Sequence, residues 1–98
     1  MKAAVLTELK KIEVREFDIP AISDNEVLVK IEYCGICGSD AELFEEGRIG
    51  TRIVNYPLVL GHEASGEIVS VGTAVKNYEI GQKVVIEPVI PCGHCEFC

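Results

Sequence analysis

From Glu26 onward, Val27, Val29, Ile31 and Tyr33 alternate with Leu28, Lys30 and Glu32. This period of two predicts a strand with one buried face that runs to Gly35. Elsewhere short Val- and Ile-rich segments recur and Gly or Pro interrupts them every few residues, a pattern that favours strands over helices. Met1–Leu6 and Lys11–Phe17 are placed to pair as a first hairpin that ends by Pro20. Ala64–Val71 and Lys83–Glu87 read as further strands, with Gly72 and Gly81 as turn signals. One helix interrupts the pattern. Ser39-Asp-Ala-Glu42 has the Ser-x-x-Glu form of a capping box, which predicts a helix from about Asp40 through Glu46, stopped by Gly47. Cys37 then sits just ahead of a helix N-terminus, where free N–H groups and the helix dipole favour a thiolate. The expected fold is mostly β, an irregular barrel with one short helix, with no internal repeat and no domain boundary inside the chain.

At 98 residues the chain is the size of one small domain, and 48% apolar residues with no low-complexity tract argue against disorder. The formal charge of −7, without a cluster of Lys or Arg, makes nucleic acid an unfavourable partner. No apolar run approaches the roughly 20 residues of a membrane helix, and Met1–Lys11 lacks the apolar core of a signal peptide. A cytoplasmic protein with no membrane partner is the expectation.

Chemistry enters with the five cysteines, an odd number grouped as Cys34/Cys37 and Cys92/Cys95/Cys98. Such grouping suits metal ligation better than a disulfide framework. Cys37, in Gly-Ile-Cys-Gly-Ser-Asp40, and His62-Glu63, in Gly-His-Glu-Ala-Ser-Gly66, supply the donor types of a zinc site from two segments rich in glycine. Asp40 is positioned to orient a ligand imidazole. Taken singly, each residue has an ordinary reading: a buried small hydrophobe, a turn histidine, a solvated carboxylate. Cys34 makes a Cys-x-x-Cys with Cys37, but no βαβ pattern surrounds it, so a structural role is expected. Cys92-x-x-Cys95-x-x-Cys98, with Pro91 before it and Gly93 inside it, forms a tight knuckle that suits zinc or an iron–sulfur cluster equally.

These blocks resemble the zinc-containing medium-chain dehydrogenase/reductase family, whose N-terminal domain is similar to the chaperonin cofactor GroES. The resemblance runs from Met-Lys-Ala-Ala-Val5 through both motifs and Val71-Gly72 to Gly81-Gln-Lys-Val84 and Pro91-Cys-Gly-His-Cys95. It implies that Cys37 and His62 bind a catalytic zinc, with Glu63 a direct or intermittent ligand. Ser39 would contact the substrate oxygen and start a proton relay, while Asp40 bonds His62. Cys92, Cys95 and Cys98 would give three of the four thiolates of a structural zinc, and His94 would have no role.

By the same resemblance the 98 residues are the N-terminal part of a catalytic domain, and the NAD- or NADP-binding domain lies outside them. No glycine-rich dinucleotide fingerprint occurs here. The parent is expected to oxidise a small-molecule secondary alcohol or polyol to a ketone, by Lewis-acid catalysis and hydride transfer to a nicotinamide, and to be a homo-oligomer. Gly47-Arg-Ile-Gly50, Ile53-Val54 and Leu60–Gly66 look most like sorbitol and related polyol dehydrogenases. Glu42-Leu43, in place of the His-Tyr pair often seen there, and Arg52, in place of an aromatic, depart from that pattern. Threonine dehydrogenase and a plain secondary-alcohol dehydrogenase are the alternatives. A non-catalytic GroES-like scaffold would not need Cys37, His62 and Glu63 together.

Overall fold

The computed structural model describes Met1–Cys98. Strands β1 (Lys2–Glu8) and β2 (Lys11–Glu16) form the expected hairpin around a turn in which Lys10 takes a left-handed φ of 61°. The Lys10 N–H donates to the Phe44 carbonyl at 3.0 Å, which fastens the turn to the helix. β3 (Val27–Gly35) leads into α1 (Gly38–Glu46), and Gly47 closes the helix with φ 67°, the left-handed cap that glycine adopts most easily. The ribbon β4 (Arg48–Ile49) and β5 (Arg52–Ile53), then β6 (Leu58–Val59), β7 (Glu63–Val71) and β8 (Lys83–Val85), complete the chain.

Pairing is antiparallel throughout. One sheet has the order β2-β1-β6 and the other β3-β7-β8. The mostly-β class with one short helix is what the chain adopts, its ladders divided between these sheets and the β4-β5 ribbon. Gly66, buried on β7, lets β3 approach: a Cβ there would collide with the Lys30 carbonyl and lie 3.0 Å from the Ile31 α-carbon.

Three details differ from the sequence reading. The helix begins earlier, with Cys37 as its N-cap and Asp40 as its third residue, so the capping carboxylate is that of Asp40. Glu42 turns away and accepts from the Gly50 N–H at 3.5 Å instead. The one-faced burial of β3 also fails: its residues are half-buried from Val27 to Val29 and exposed from Lys30 to Gly35, with register shifts between Leu28 and Val29 and between Ile31 and Tyr33. Ile31 is 48% and Tyr33 77% exposed. Finally, β8 ends at Val85, although the Ile86 N–H still donates to the Ala64 carbonyl at 2.8 Å.

The core is small. Val5, Leu6, Leu43 and Ile68 are its buried apolar side chains. The accessible surface is 7694 Å², whereas a folded monomer of 10.7 kDa exposes about 5,500 Å². The shape is a slab of 41 × 40 × 20 Å, and much of the surplus is apolar, including Ile36, Ile53, Val85, Ile90 and Phe97.

Candidate metal centre

Antiparallel pairing of β3 with β7 creates the first donor cluster. The last residue of β3 sits opposite the first of β7, Gly35 against Glu63. The segment after β3 therefore carries Cys37 to the place where His62 and Glu63 enter β7. The Cys37 sulfur, a His62 ring nitrogen and a Glu63 carboxylate oxygen all lie within 4.8 Å of one another. Around zinc, donors held at about 2.0–2.3 Å stand roughly 3.3–3.8 Å apart. The three fit such an ion after a small inward movement. With a thiolate, a carboxylate and a neutral imidazole, their formal charge matches a divalent cation.

Asp40 ties the two halves of the cluster together. It is 8% exposed, its Oδ2 accepts from the Cys37 backbone N–H at 3.0 Å, and its Oδ1 is 3.5 Å from His62 Nδ1. With Asp40 beside Nδ1, Nε2 is the ring nitrogen left for a metal. Ser39 is half-buried on the first turn of α1, with its hydroxyl 3.4 Å from His62 Nε2. Cys37 and His62 are half-buried and Glu63 is exposed, so the cluster opens to solvent on the carboxylate side. Thus Cys37, Ser39, Asp40, His62 and Glu63, all singled out in the sequence, converge in one place. The contact of Asp40 with the Cys37 N–H went unread there; its signal was the carboxylate three residues after Cys37.

Cys34, expected as structural, is an exposed free thiol that packs against Gly61, where a Cβ would stand 2.6 Å from its sulfur. Gly61 has φ 105°, so both its conformation and this contact require glycine.

The second cluster lies at the other end of the chain. Cys98 Sγ is 3.3 Å from both Cys92 Sγ and Cys95 Sγ. Thiolates around zinc stand about 3.8 Å apart, so the three accommodate the ion by spreading about half an ångström. The Cys98 thiol is drawn from 9.0 down to about 6, because Cys95, the Gly93 backbone and Cys92 hydrogen-bond to its sulfur. All three cysteines are exposed, and His94 turns its Nδ1 to the Cys92 carbonyl at 2.9 Å, away from the sulfurs.

Comparison with known proteins gives the family. Residues 23–98 match the alcohol dehydrogenase GroES-like domain. Over all 98 residues the chain is 44% identical to sorbitol dehydrogenase of Bacillus subtilis (strain 168), and it covers 28% of that protein. Its fold superposes on galactitol-1-phosphate dehydrogenase from Escherichia coli with a TM-score of 0.87 and 38% identity, over 100% of this chain and 28% of the other. A candidate zinc-binding dehydrogenase of Sinorhizobium meliloti 1021, solved with NADP, gives a TM-score of 0.82 at 37% identity, over 99% of this chain and 27% of that one. The 98 residues thus span little more than a quarter of the proteins they match, and over that span the chain belongs to the alcohol dehydrogenase GroES-like domain family.

Proposed function

We propose that these residues form the N-terminal, metal-carrying part of a longer zinc-dependent, NAD- or NADP-linked dehydrogenase that oxidises a secondary alcohol or polyol to a ketone. The observation that carries this reading is the convergence of Cys37, His62 and Glu63 beside the Ser39 hydroxyl. Sorbitol dehydrogenase and galactitol-1-phosphate dehydrogenase among the relatives support a polyol, and the NADP bound to a third supports a nicotinamide cofactor.

In this reading Cys37, His62 and Glu63 would hold the catalytic zinc, which would supply a Lewis acid for the alcohol oxygen. Asp40, beside Nδ1, would orient the imidazole so that Nε2 is the ligating nitrogen. Ser39 Oγ, next to the donor cluster, would accept the hydroxyl proton of the substrate while releasing its own to solvent. Cys92, Cys95 and Cys98 hold a structural zinc. The surplus apolar surface supports coverage of this unit by further protein, from the rest of the polypeptide or from a second subunit. No helix is long and apolar enough to cross a membrane, and five free cysteines support a reducing compartment, the cytoplasm.

The test is a pair of measurements on full-length enzyme, metal content and polyol oxidation with NAD or NADP. About two zinc per chain are expected, and Cys37→Ser should lose one of them together with turnover. The 98 residues alone should oxidise nothing. Full turnover by the Cys37→Ser enzyme would refute the proposal.

A further inference from the structure

Of the glycines beside the first donor cluster, Gly35 has no conformational reason to be one. It lies in a strand and is absent from the positive-φ positions, which are Gly47, Gly50, Gly61, Gly81 and Gly93. Its surroundings give a different reason. A Cβ at position 35 would stand 2.8 Å from Glu63 Oε2 and 3.4 Å from Glu63 Cβ, and the next atom, the Glu63 carbonyl oxygen, is 3.7 Å away. The contact under 3.0 Å is with the end of a flexible side chain. Gly66 is the opposite case, since its missing side chain makes room for the backbone of Lys30.

We propose that Gly35 is a positioning residue: the space left by its absent side chain seats the Glu63 carboxylate and thereby sets a thiolate–imidazole–carboxylate metal site. The inference rests on the zinc reading above and goes beyond it by naming what holds the third donor in place. Gly35 and Glu63 are register partners across β3 and β7, so the sheet delivers the two residues face to face. A methyl group at 35 displaces the carboxylate from Cys37 and His62 and leaves the strands where they are. The fold survives and the third donor is lost. Strand pairing and a single missing Cβ would thus determine whether the carboxylate of a Gly-His-Glu segment can ligate.

The experiment uses full-length enzyme as wild type, Gly35→Ala, Glu63→Ala, the double variant and Cys37→Ser. Zinc affinity is read by chelator competition, the ligand field by the absorption spectrum of the cobalt-substituted protein, and folding by thermal melting. Gly35→Ala and Glu63→Ala should each weaken zinc binding by more than about 100-fold, beyond the range of outer-shell changes. Both should give the same altered cobalt spectrum, and the double variant should bind no more weakly than Glu63→Ala, because both changes remove one interaction. Wild-type affinity in Gly35→Ala with weakened binding in Glu63→Ala overturns the proposal and leaves the zinc reading intact, as does additivity of the two effects. Unchanged zinc binding in Cys37→Ser overturns the zinc reading itself. Should Gly35→Ala fail to fold, the double variant decides: with the carboxylate gone the methyl group has room, so recovery of the wild-type melting temperature supports the proposal and continued unfolding refutes it.

Discussion

Asp40→Asn removes one charge and almost no volume at the residue that joins Cys37 to His62. Once His62 Nε2 holds a metal, both groups facing the carboxylate offer it a proton: the Cys37 N–H, which donates at 3.0 Å, and His62 Nδ1, 3.5 Å away. A carboxylate serves both; an amide has one acceptor oxygen and turns an NH₂ toward the other. If the amide oxygen stays with Cys37, the NH₂ faces Nδ1, and the ring proton must move to Nε2, where it occupies the lone pair a metal needs. If the amide flips, the helix loses its capping contact, at about 1 kcal/mol, and the cysteine loses its anchor. Either way zinc affinity should fall about 10- to 100-fold, the range for groups that orient a ligand histidine, equivalent to roughly 1.4–2.7 kcal/mol. Chelator competition on full-length enzyme measures this. Glu42→Gln is the control, because it removes the same charge from the same helix but touches only the Gly50 N–H, at 3.5 Å. It should change affinity by less than about twofold. Zinc held by Asp40→Asn as tightly as by Glu42→Gln would refute the argument.

Two further outcomes follow from the sheets. Gly66→Ala forces a methyl group into the Lys30–Ile31 backbone and should destabilise the protein by about 2 kcal/mol or more. Gly50→Ala has open space around it and only an unfavourable φ of 57° to tolerate, about 1 kcal/mol; equal melting temperatures for the two would contradict the steric account. Lys83 bridges Glu32 at 2.7 Å and Glu67 at 2.9 Å across the second sheet. Those hydrogen bonds raise Lys83 above 10.5, the contact with Glu32 first, and the Lys83 hydrogen bond lowers Glu67 below 4.5. The stabilisation from Glu67 is therefore full above pH 4.5 and lost as pH falls through its lowered value, and that from Lys83 is full below pH 10.5 and lost as pH rises through its raised value. The melting temperatures of wild type and Lys83→Met should differ by a constant amount between these limits and converge outside them; a difference that drifts across the neutral range would count against this network.

The class of fold and the residues that gather in the two donor clusters were legible in the sequence because both are written in local chemistry. Val- and Ile-rich segments punctuated by Gly and Pro specify strands, and Cys37, His62-Glu63 and the Cys92–Cys98 knuckle are donor types that have few other reasons to cluster. Hairpin β1–β2, strand β7 and the stop at Gly47 fell close to where the pattern placed them. The helix start moved because Ser39-Glu42 and Cys37-Asp40 offer competing caps, and only the second lets a buried carboxylate meet both a backbone N–H and His62. The face of β3 was misread because burial depends on what packs against the strand, which no periodicity within one strand records. Convergence itself belonged to the tertiary structure. Twenty-four residues lie between Cys37 and His62 in the chain, and it is the antiparallel register of Gly35 against Glu63, a contact between segments with no local signal, that brings thiolate, imidazole and carboxylate within reach of one ion.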